Sequence, residues 1–440
     1  MAHNLRRDLG LVESYAALLG MLIGAGIFKV TGVAWELTGP SVILGYFVLA
    51  PAILATSVAY AVFVSTPLGK EPGGEYAHIS RTFGGYGLAF VGVWLKVISY
   101  IGALAYLSRA CGDYVRQLFG GGDAMLIAAG CLVFFYAIHI AGVRWFGRLQ
   151  VWMCVVLGIS IAVLVGPGLF AIRMDNYHPF FTGGIKGFAS ALPPLFFAYA
   201  GFESLAQTAG EVKDSTSRLP RVFLRGIVAT MIIYLLMSAV ALGVLPAAKL
   251  RVSEAPMADA AALYLPMGAA MLVTIGAIMA LTTSVNATML VPSRVAIMLA
   301  DDGLAPRWLG RVSPRTGTPI VGLTLTFLAA LGLLVSGKIS LALNIAIFAL
   351  VVLYFIHSIA LLRIPKELAA QVTVRIPRWL QLAAAWLSIA AMGTLIVLQL
   401  RDRDLIILVV VWAAIGVVLY VSGRIAHRGA AGGMENAEET

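Results

Sequence analysis

A glycine cluster near the N-terminus carries the clearest chemical signal in this sequence. Gly20, Gly24 and Gly26 lie within seven positions of one apolar stretch. Each glycine costs about 1 kcal/mol in a helix interior relative to alanine, so we expect the helix to break here. A helix that restarts at this point presents the backbone N–H groups of Gly24, Ala25 and Gly26, which suit a carboxylate. The alternative is that Gly20 and Gly24 form only a helix-packing pair.

A second apolar stretch is also interrupted. Pro193 and Pro194 remove helix hydrogen bonds, Gly201 follows them, and Glu203 places a carboxylate inside the apolar run. Two interrupted segments at matching positions in the two halves of a chain indicate the binding site of a transporter. The sequence therefore predicts that the two broken segments meet.

Backbone carbonyl groups at these breaks suit an ammonium group. The first half-helix ends near Ile23, and the second broken segment offers the carbonyls of Phe197, Ala198 and Ala200. Carbonyl oxygens at the C-terminus of a helix carry partial negative charge. Together with the N–H groups of the glycine cluster, they predict a binding site for the zwitterion of an α-amino acid.

The side chains of the second broken segment bear on substrate choice. Phe197 and Tyr199 can stack over a bound molecule, and the alternative for both rings is packing inside the helix bundle. Ala200 leaves more room than a bulky aliphatic residue would. Glu203 is the one acid in an obvious pocket helix, so the sequence favours neutral amino acids as substrates.

Ionisable residues within apolar spans are candidates for ion coupling. Burial in a low dielectric disfavours a charged carboxylate, so Glu203 is the first candidate for binding a proton; a fixed strut between helices is its alternative role. Lys96 could contribute if its side chain faces the bundle interior. The hydroxyl groups of Thr283 and Ser284 could instead hold a sodium ion, together with carbonyl groups of the first span.

The elements that must position these residues are membrane-spanning helices. The chain is 60% hydrophobic and 12% charged, with a mean hydropathy of +0.92, whereas soluble chains carry roughly 25% charged residues. A helix needs about 20 apolar residues to cross a bilayer. Twelve segments meet this requirement: 12–35, 41–66, 86–110, 124–142, 149–171, 186–208, 222–245, 268–299, 319–336, 339–362, 379–400 and 404–424.

We therefore predict an all-α integral membrane protein with twelve transmembrane helices. If spans 1–5 and 6–10 are inverted repeats, the broken helices 1 and 6 occupy equivalent positions, which is a leucine-transporter-like 5+5 inverted repeat. The predicted divisions are a cytoplasmic N-terminus (1–10), the first five-helix repeat (11–172), the second five-helix repeat (186–362), helices 11 and 12 (379–425) and a disordered cytoplasmic tail (426–440).

The distribution of basic residues predicts the orientation. Most Lys and Arg residues fall in loops on one side of the predicted bundle, among them Arg218, Arg221 and Arg225. Such loops stay in the cytoplasm, so we expect both termini there and the spans in a cell membrane. Lys29, just after the first break, is expected to extend towards the outer surface. The net charge of +10 reflects this topology and does not indicate nucleic-acid binding.

Several motifs resemble those of the amino acid–polyamine–organocation (APC) superfamily of permeases. Gly24-Ala25-Gly26-Ile27-Phe28 is similar to its helix-1 signature, and Phe197-Ala198-Tyr199-Ala200-Gly201-Phe202-Glu203 is similar to its helix-6 signature. Further matches follow in the same order as in the family: Pro72-Gly73-Gly74-Glu75-Tyr76, Gly210-Glu211-Val212-Lys213, Leu219-Pro220-Arg221, Asn286-Ala287, Ser293-Arg294, Asp302-Gly303-Leu304-Ala305-Pro306 and Gly317-Thr318-Pro319.

The resemblance implies a secondary transporter that moves amino acids by alternating access about the two broken helices. It also makes Phe197 a candidate gate. Proton-coupled relatives often carry a lysine in helix 5, at the position that we align with Leu157. This departure leaves proton coupling, sodium coupling and uncoupled exchange open.

Other functional classes find little support in the residue inventory. The histidines are scattered without metal-ligand spacing, and the sequence has no phosphate-binding Gly-Lys-Ser/Thr loop. We therefore expect no enzyme activity, no cofactor and no bound metal. A channel should show a polar pore ring, which the sequence lacks. An amino-acid sensor of the same fold, without flux, is the alternative from another class. The expected partners are an amino acid, membrane lipid, and a proton or sodium ion.

Overall fold

The computed structural model describes residues 10–438, except 71–72, 208, 251–252, 254 and 314. Pro72 and nearly all of the predicted N-terminal segment (1–10) therefore lie outside the described residues. The described part of the chain is helical and contains no strand. Its helices are α1 (Leu11–Leu22), α2 (Ala25–Phe28), α3 (Val30–Thr38), α4 (Val42–Val64), α5 (Glu75–Phe83), α6 (Tyr86–Phe119), α7 (Ala124–Ala141), α8 (Val143–Gly168), α9 (Gly184–Ala198), α10 (Ser204–Gln207), α11 (Ser215–Val244), α12 (Ala247–Leu250), α13 (Pro256–Ala261), α14 (Met267–Asp301), α15 (Ile320–Val335), α16 (Ile339–Leu362), α17 (Lys366–Ala369), α18 (Arg378–Gln399) and α19 (Arg403–Glu438).

The first apolar stretch is divided into three helices. Helix α1 ends at Leu22, and Ile23 leaves helical geometry with a ψ angle of 77°. The N–H group of Gly24 donates to the carbonyl of Leu22 at 2.9 Å, and α2 begins at the next residue. A single residue, Lys29, separates α2 from α3. The interruption thus lies inside the glycine cluster, where the backbone cost of a helix is highest.

The second apolar stretch is interrupted at a different point from the one that its prolines indicate. Pro193 and Pro194 lie inside α9 and do not end it. The helix ends at Ala198, residues 199–203 form turns, and α10 begins at Ser204. Gly201 has a φ angle of +109°, which a residue with a side chain rarely adopts. The glycine, rather than the prolines, therefore accounts for the loss of helix.

Ten helical runs in the described residues are long and apolar enough to cross a membrane. Two of the twelve predicted spans are too short to be among them. Helix α15 has 16 residues and α9 has 15, and 15 residues extend only about 22 Å. The count of twelve and the inverted repeat stay predictions. Helix α19 continues to Glu438, into the segment 426–440 for which the sequence predicts disorder.

The bundle is organised around the long helix α6. This helix packs against α14 and α16, while α4 packs against α11 and α9, and α16 packs against α18. The broken segments lie within this framework, because α1 contacts α8, α11 and α14, and α3 contacts α9. Helix α19 lies at the periphery, with apolar side chains such as Val410 and Val417 exposed. A lipid-facing surface of this kind is expected in a membrane helix, since lipid is as apolar as the side chains.

Candidate functional site

A cavity of about 40 Å³ lies where the two helix interruptions meet. Cavities above about 10–15 Å³ can hold a water molecule if polar groups line them, and this one has both polar and apolar walls. Its lining residues come from the two broken segments and from α6, α14 and α16: Met21, Leu22, Gly24, Gly26, Ser99, Tyr100, Ala103, Leu107, Phe197, Ala200, Gly201, Glu203, Ser284, Thr288 and Leu350.

The cavity contains about half of the residues that the sequence singles out. The residues that line it are Gly24, Gly26, Phe197, Ala200, Glu203 and Ser284. The residues near it that do not line it are Ile23, Ala198, Tyr199 and Thr283. The side chain of Ala25 lies outside the described part of the structure. Lys96 is buried outside this lining, and its ammonium contacts the carboxylate of Glu75.

The two glycines allow close contact between the broken segments and their neighbours. A Cβ atom on Gly26 would overlap Ala198 of α9, at 2.6 Å from its Cβ atom and closer still to its Cα atom. A Cβ atom on Gly24 would overlap the hydroxyl of Ser284 on α14. Ordinary carbon contacts are about 3.5–4.0 Å. Glycine at both positions therefore lets α2 approach the end of α9 and the middle of α14.

A tyrosine contacts one carbonyl group from each of the two helix ends that the sequence assigns to an ammonium. The Tyr234 hydroxyl of α11 contacts the carbonyl oxygen of Leu22 and lies 2.6 Å from that of Ala198. These carbonyls belong to the C-terminal ends of α1 and α9, so one side chain bridges both helix ends. Tyr234 already donates to the Ala198 carbonyl in this conformation, so a substrate ammonium would have to share or displace that contact, and the assignment of this carbonyl to the substrate stays a prediction. Tyr46 similarly donates to the carbonyl of Gly26 at 3.0 Å.

The Glu203 carboxylate is fully buried and accepts three hydrogen bonds. Tyr100 of α6 donates its hydroxyl to Oε1 at 2.7 Å, and the hydroxyl of Tyr354 on α16 donates to Oε2. The N–H group of Gly201 donates to Oε2 at 2.9 Å. Carboxyl oxygens have several lone pairs that can accept hydrogen bonds, and all three contacts come from donor groups. The carboxylate therefore ties the interrupted stretch to both α6 and α16.

The candidate sodium ligands on α14 bond directly to the first span. The hydroxyl of Thr283 donates to the carbonyl of Gly20 at 2.8 Å. The hydroxyl of Ser284 lies 3.3 Å from the same oxygen and 3.4 Å from the carbonyl oxygen of Met21. Both hydroxyl groups also lie within hydrogen-bonding distance of the carbonyl oxygen of Ala280 in their own helix, at 2.7 Å for Thr283 and 3.1 Å for Ser284. No cluster of three or more His, Cys, Asp or Glu side chains suited to a metal occurs among the described residues.

Lys29 and Lys96 of the predicted spans form ion pairs. Lys96 faces the bundle interior, where its ammonium contacts both carboxylate oxygens of Glu75 at 2.9 and 3.0 Å. The Lys29 ammonium pairs with Asp113 of α6 at 3.0 Å, and its extension towards the outer surface stays a prediction. An ammonium group in a low dielectric needs an anion beside it, and Asp113 lies within reach.

Sequence reasoning missed the tyrosines that complete this site. Tyr100, Tyr234 and Tyr354 lie in apolar spans and are buried. Their hydroxyl groups need partners when buried, so a tyrosine in the middle of an apolar span is itself a signal of a polar site. Nothing in the local sequence says which carboxylate or carbonyl each hydroxyl meets, because the partners lie far along the chain.

The family described as Amino acid permease matches residues 15–427. The chain belongs to this family. The match covers both helix interruptions and the lining residues of the cavity. It confirms the resemblance to APC permeases that the motifs indicate.

Individual relatives of this permease are transporters rather than enzymes. The methylthioribose transporter of Bacillus subtilis (strain 168) is 28% identical over 353 residues, 75% of each chain. The branched-chain amino acid permease BcaP of the same strain is 25% identical over 339 residues, 72% of each chain. The vacuolar cationic amino acid transporter 4 of Arabidopsis thaliana is 27% identical over 348 residues, which are 72% of this permease and 56% of that protein.

Proposed function

We propose that this permease is a secondary transporter of neutral amino acids in the cell membrane, with both termini in the cytoplasm. Its mechanism is alternating access about two broken helices, within twelve transmembrane helices arranged as a leucine-transporter-like inverted repeat. The observation that carries the proposal is the cavity at the meeting point of the two interruptions. Interrupted helices are tolerated at membrane depth where the freed backbone groups line a cavity.

The proposed site binds the two charged ends of a zwitterion on opposite helix ends. Helix α2 begins at Ala25, beside Gly24 and Gly26 in the cavity wall. The N–H groups of a first helical turn have no partners within the helix, so they can hold the substrate carboxylate. We assign the ammonium to the carbonyl end of α9, where Phe197 and Ala200 line the cavity. The bridging Tyr234 hydroxyl would exchange with the ammonium there.

The remaining walls favour a neutral side chain. Ala103, Leu107 and Leu350 line the cavity with apolar surface. Phe197 closes one side, and its ring packs edge to face against that of Tyr106, with 5.6 Å between the ring centroids. Glu203 is the one acid in the lining, and its oxygens already accept three hydrogen bonds. A cationic side chain would find no free carboxylate there. Such a substrate would remain uncompensated in a low dielectric.

Uptake into proteoliposomes tests this proposal. Radiolabelled alanine, leucine, phenylalanine and arginine are offered outside vesicles that contain the purified protein, with and without imposed proton or sodium gradients. We expect saturable entry of neutral amino acids and little entry of arginine. Binding without entry would instead support the sensor, and entry without dependence on either gradient would support uncoupled exchange.

A matched pair of glycine variants links the flux to the helix interruption. Gly24→Val places a side chain against Ser284, so we expect loss of uptake. Gly158→Val in α8 is the control, because a Cβ atom there meets no other atom within 4 Å. If both variants transport at the wild-type rate, the cavity beside Gly24 is not the substrate site.

A further inference from the structure

A buried ion pair lies between the short helix α5 and the long helix α6. Glu75 and Lys96 have side chains that are 0% exposed, and both oxygens of Glu75 contact the Lys96 ammonium. The Tyr60 hydroxyl of α4 also donates to Glu75 Oε1, at 2.8 Å. Lys96 lies within the predicted third span, where a charge is costly and indicates function.

Aromatic side chains connect this ion pair to the carboxylate in the wall of the substrate cavity. The Lys96 ammonium lies 5.4 Å from the centre of the Tyr100 ring, and the hydroxyl of that ring donates to Glu203. On the other side, the rings of Tyr60 and Tyr354 lie 6.0 Å apart, and Tyr354 also donates to Glu203. The two carboxyl groups thus share one continuous set of buried neighbours.

The charges of this cluster do not balance when every group has its usual ionisation. Two carboxylates, Glu75 and Glu203, face one ammonium, Lys96, and both carboxyl side chains are fully buried. Burial raises the pKa of the Glu75 carboxyl, Lys96 opposes that shift, and the negative charge of Glu203 adds to it. An uncompensated charge in the interior costs several kcal/mol, so such a cluster gains a cation.

The neighbouring histidines do not supply that cation. His78 Nδ1 lies 3.0 Å from His357 Nε2, and both rings are buried. Burial and the nearby Lys96 ammonium lower the pKa of His78 to about 3, so its ring is neutral. The titratable side chains that face the two carboxyl groups are Tyr60 from α4, His78 from α5, Lys96 and Tyr100 from α6, and Tyr354 and His357 from α16.

We propose that Glu75, Lys96 and Glu203 form one charge-balanced centre that binds a single proton, and that this proton is the ion coupled to transport. The proposal rests on the transport function proposed above. The proton belongs to the pair of carboxyl groups rather than to either one, because the two interact through shared neighbours. Lys96 supplies the fixed positive charge. Leu157, which we align with the helix-5 lysine of proton-coupled relatives, has no charge to offer.

Opening towards the cytoplasm would release this proton. Helix α5 and residues 199–203 hold the two carboxyl groups, and water that enters between them hydrates each carboxylate separately. Hydration removes the cost of burying the second negative charge, so the proton leaves together with the substrate. With a neutral amino acid, one positive charge then crosses the membrane in each cycle.

Infrared spectroscopy of the purified full-length protein tests the centre without a substrate. The stretching band of protonated carboxyl groups is recorded while the pH rises from about 5 to about 9, a range in which exposed carboxyl groups are ionised. We expect one protonated carboxyl group in the wild type. Absence of any carboxyl group that titrates in this range would overturn the proposal.

Charge-changing variants separate charge balance from a structural ion pair. The quantity compared is the pH at which the protonated carboxyl band has lost half of its intensity, called the midpoint. Glu75→Gln leaves Lys96 to balance Glu203, so this midpoint should fall by about one pH unit or more. Lys96→Met leaves two uncompensated carboxyl groups, so the midpoint should rise by a similar amount. The double variant Glu75→Gln/Lys96→Met leaves one buried carboxyl group without a cation beside it. Its protonated band should therefore persist to a higher pH than the band of Glu75→Gln.

The double variant keeps the test decisive even if Lys96→Met does not fold, since it removes both charges of the pair. Lys29→Met is the matched control, because it removes the lysine of the separate pair with Asp113 and should leave the midpoint unchanged. A midpoint that is the same in Glu75→Gln and in the double variant would show that the pair is only structural.

Transport measurements then distinguish a failed coupling site from a failed transport function. Exchange of radiolabelled amino acid across proteoliposomes needs no proton gradient and reports the transport function alone. Glu75→Gln should keep exchange yet lose accumulation driven by a pH gradient. Accumulation that survives in Glu75→Gln would overturn the coupling role. Absence of exchange by the wild-type protein would contradict the proposed function itself.

Discussion

Adding one methyl group at Gly26 should slow transport more than its size indicates. In Gly26→Ala the new Cβ atom lies 2.6 Å from the Cβ atom of Ala198 and closer to its Cα atom. Ordinary carbon contacts are about 3.5–4.0 Å, so α2 and the end of α9 must separate by about 1–2 Å. Rotation of a side chain cannot relieve this overlap, because the obstructing atoms belong to the backbone and to Cβ.

The cost of that separation follows from overpacking. An extra methyl group in a tightly packed interior costs about 1–3 kcal/mol, and here the cost falls on the conformation in which the two broken segments touch. A penalty of this size lowers the population of that conformation by about 5- to 150-fold. We expect the initial rate of neutral amino acid uptake into proteoliposomes, normalised to reconstituted protein, to fall within this range.

Gly158→Ala provides the comparison. This helix α8 position has no atom within 4 Å of an added Cβ atom, and substitutions at such sites change stability by less than about 0.5 kcal/mol. Its uptake rate should therefore stay within about twofold of the wild type. Wild-type uptake in Gly26→Ala would refute the close contact between α2 and α9 as a requirement for transport.

Three further substitutions test the polar contacts and the size of the cavity. Tyr234→Phe removes the hydroxyl that bridges the carbonyl ends of α1 and α9. Because an unsatisfied buried carbonyl costs about 1–3 kcal/mol, the melting temperature of the protein in detergent should fall. An unchanged melting temperature would contradict the bridge. Ala200→Val narrows a cavity of about 40 Å³, so competition assays should show a shift towards smaller amino acids, and an unchanged preference would place Ala200 away from the substrate side chain. Tyr354→Phe removes one of three donors to the buried Glu203 carboxyl group. A buried acceptor that loses its partner costs about 1–3 kcal/mol, so chemical denaturation should show a loss of stability, and no loss would contradict this hydrogen bond.

The positions of the helix breaks show how much of the fold can be predicted from local sequence. The glycine cluster predicts the first interruption, and the structure ends α1 at Leu22, inside the cluster. For the second interruption the sequence indicates Pro193, Pro194 and Gly201 together, but the helix continues through both prolines. Interior prolines only weaken a helix that its neighbours hold in place, whereas Gly201 at a φ angle of +109° leaves the helical region altogether.

The roles of the backbone groups could not be predicted in the same way. Sequence reasoning assigns the Ala198 carbonyl to the substrate, but Tyr234, 36 positions further along the chain, donates to it. Thr283 was considered as a sodium ligand, yet its hydroxyl donates to Gly20, 263 positions away. Each outcome depends on which helices become neighbours, and a helix-packing partner leaves no local trace in the sequence.

The sequence by itself determined the membrane class and the family, and it predicted the region of the candidate site. These properties follow from local quantities: the apolar length of each segment, the cost of glycine in a helix and the order of short motifs. Only the tertiary structure decided how the buried charges are compensated. Glu203 meets hydroxyl groups that lie 103 and 151 positions away, and Lys96 finds its carboxylate on a separate short helix. A buried charge must have partners, but packing alone determines which side chains provide them.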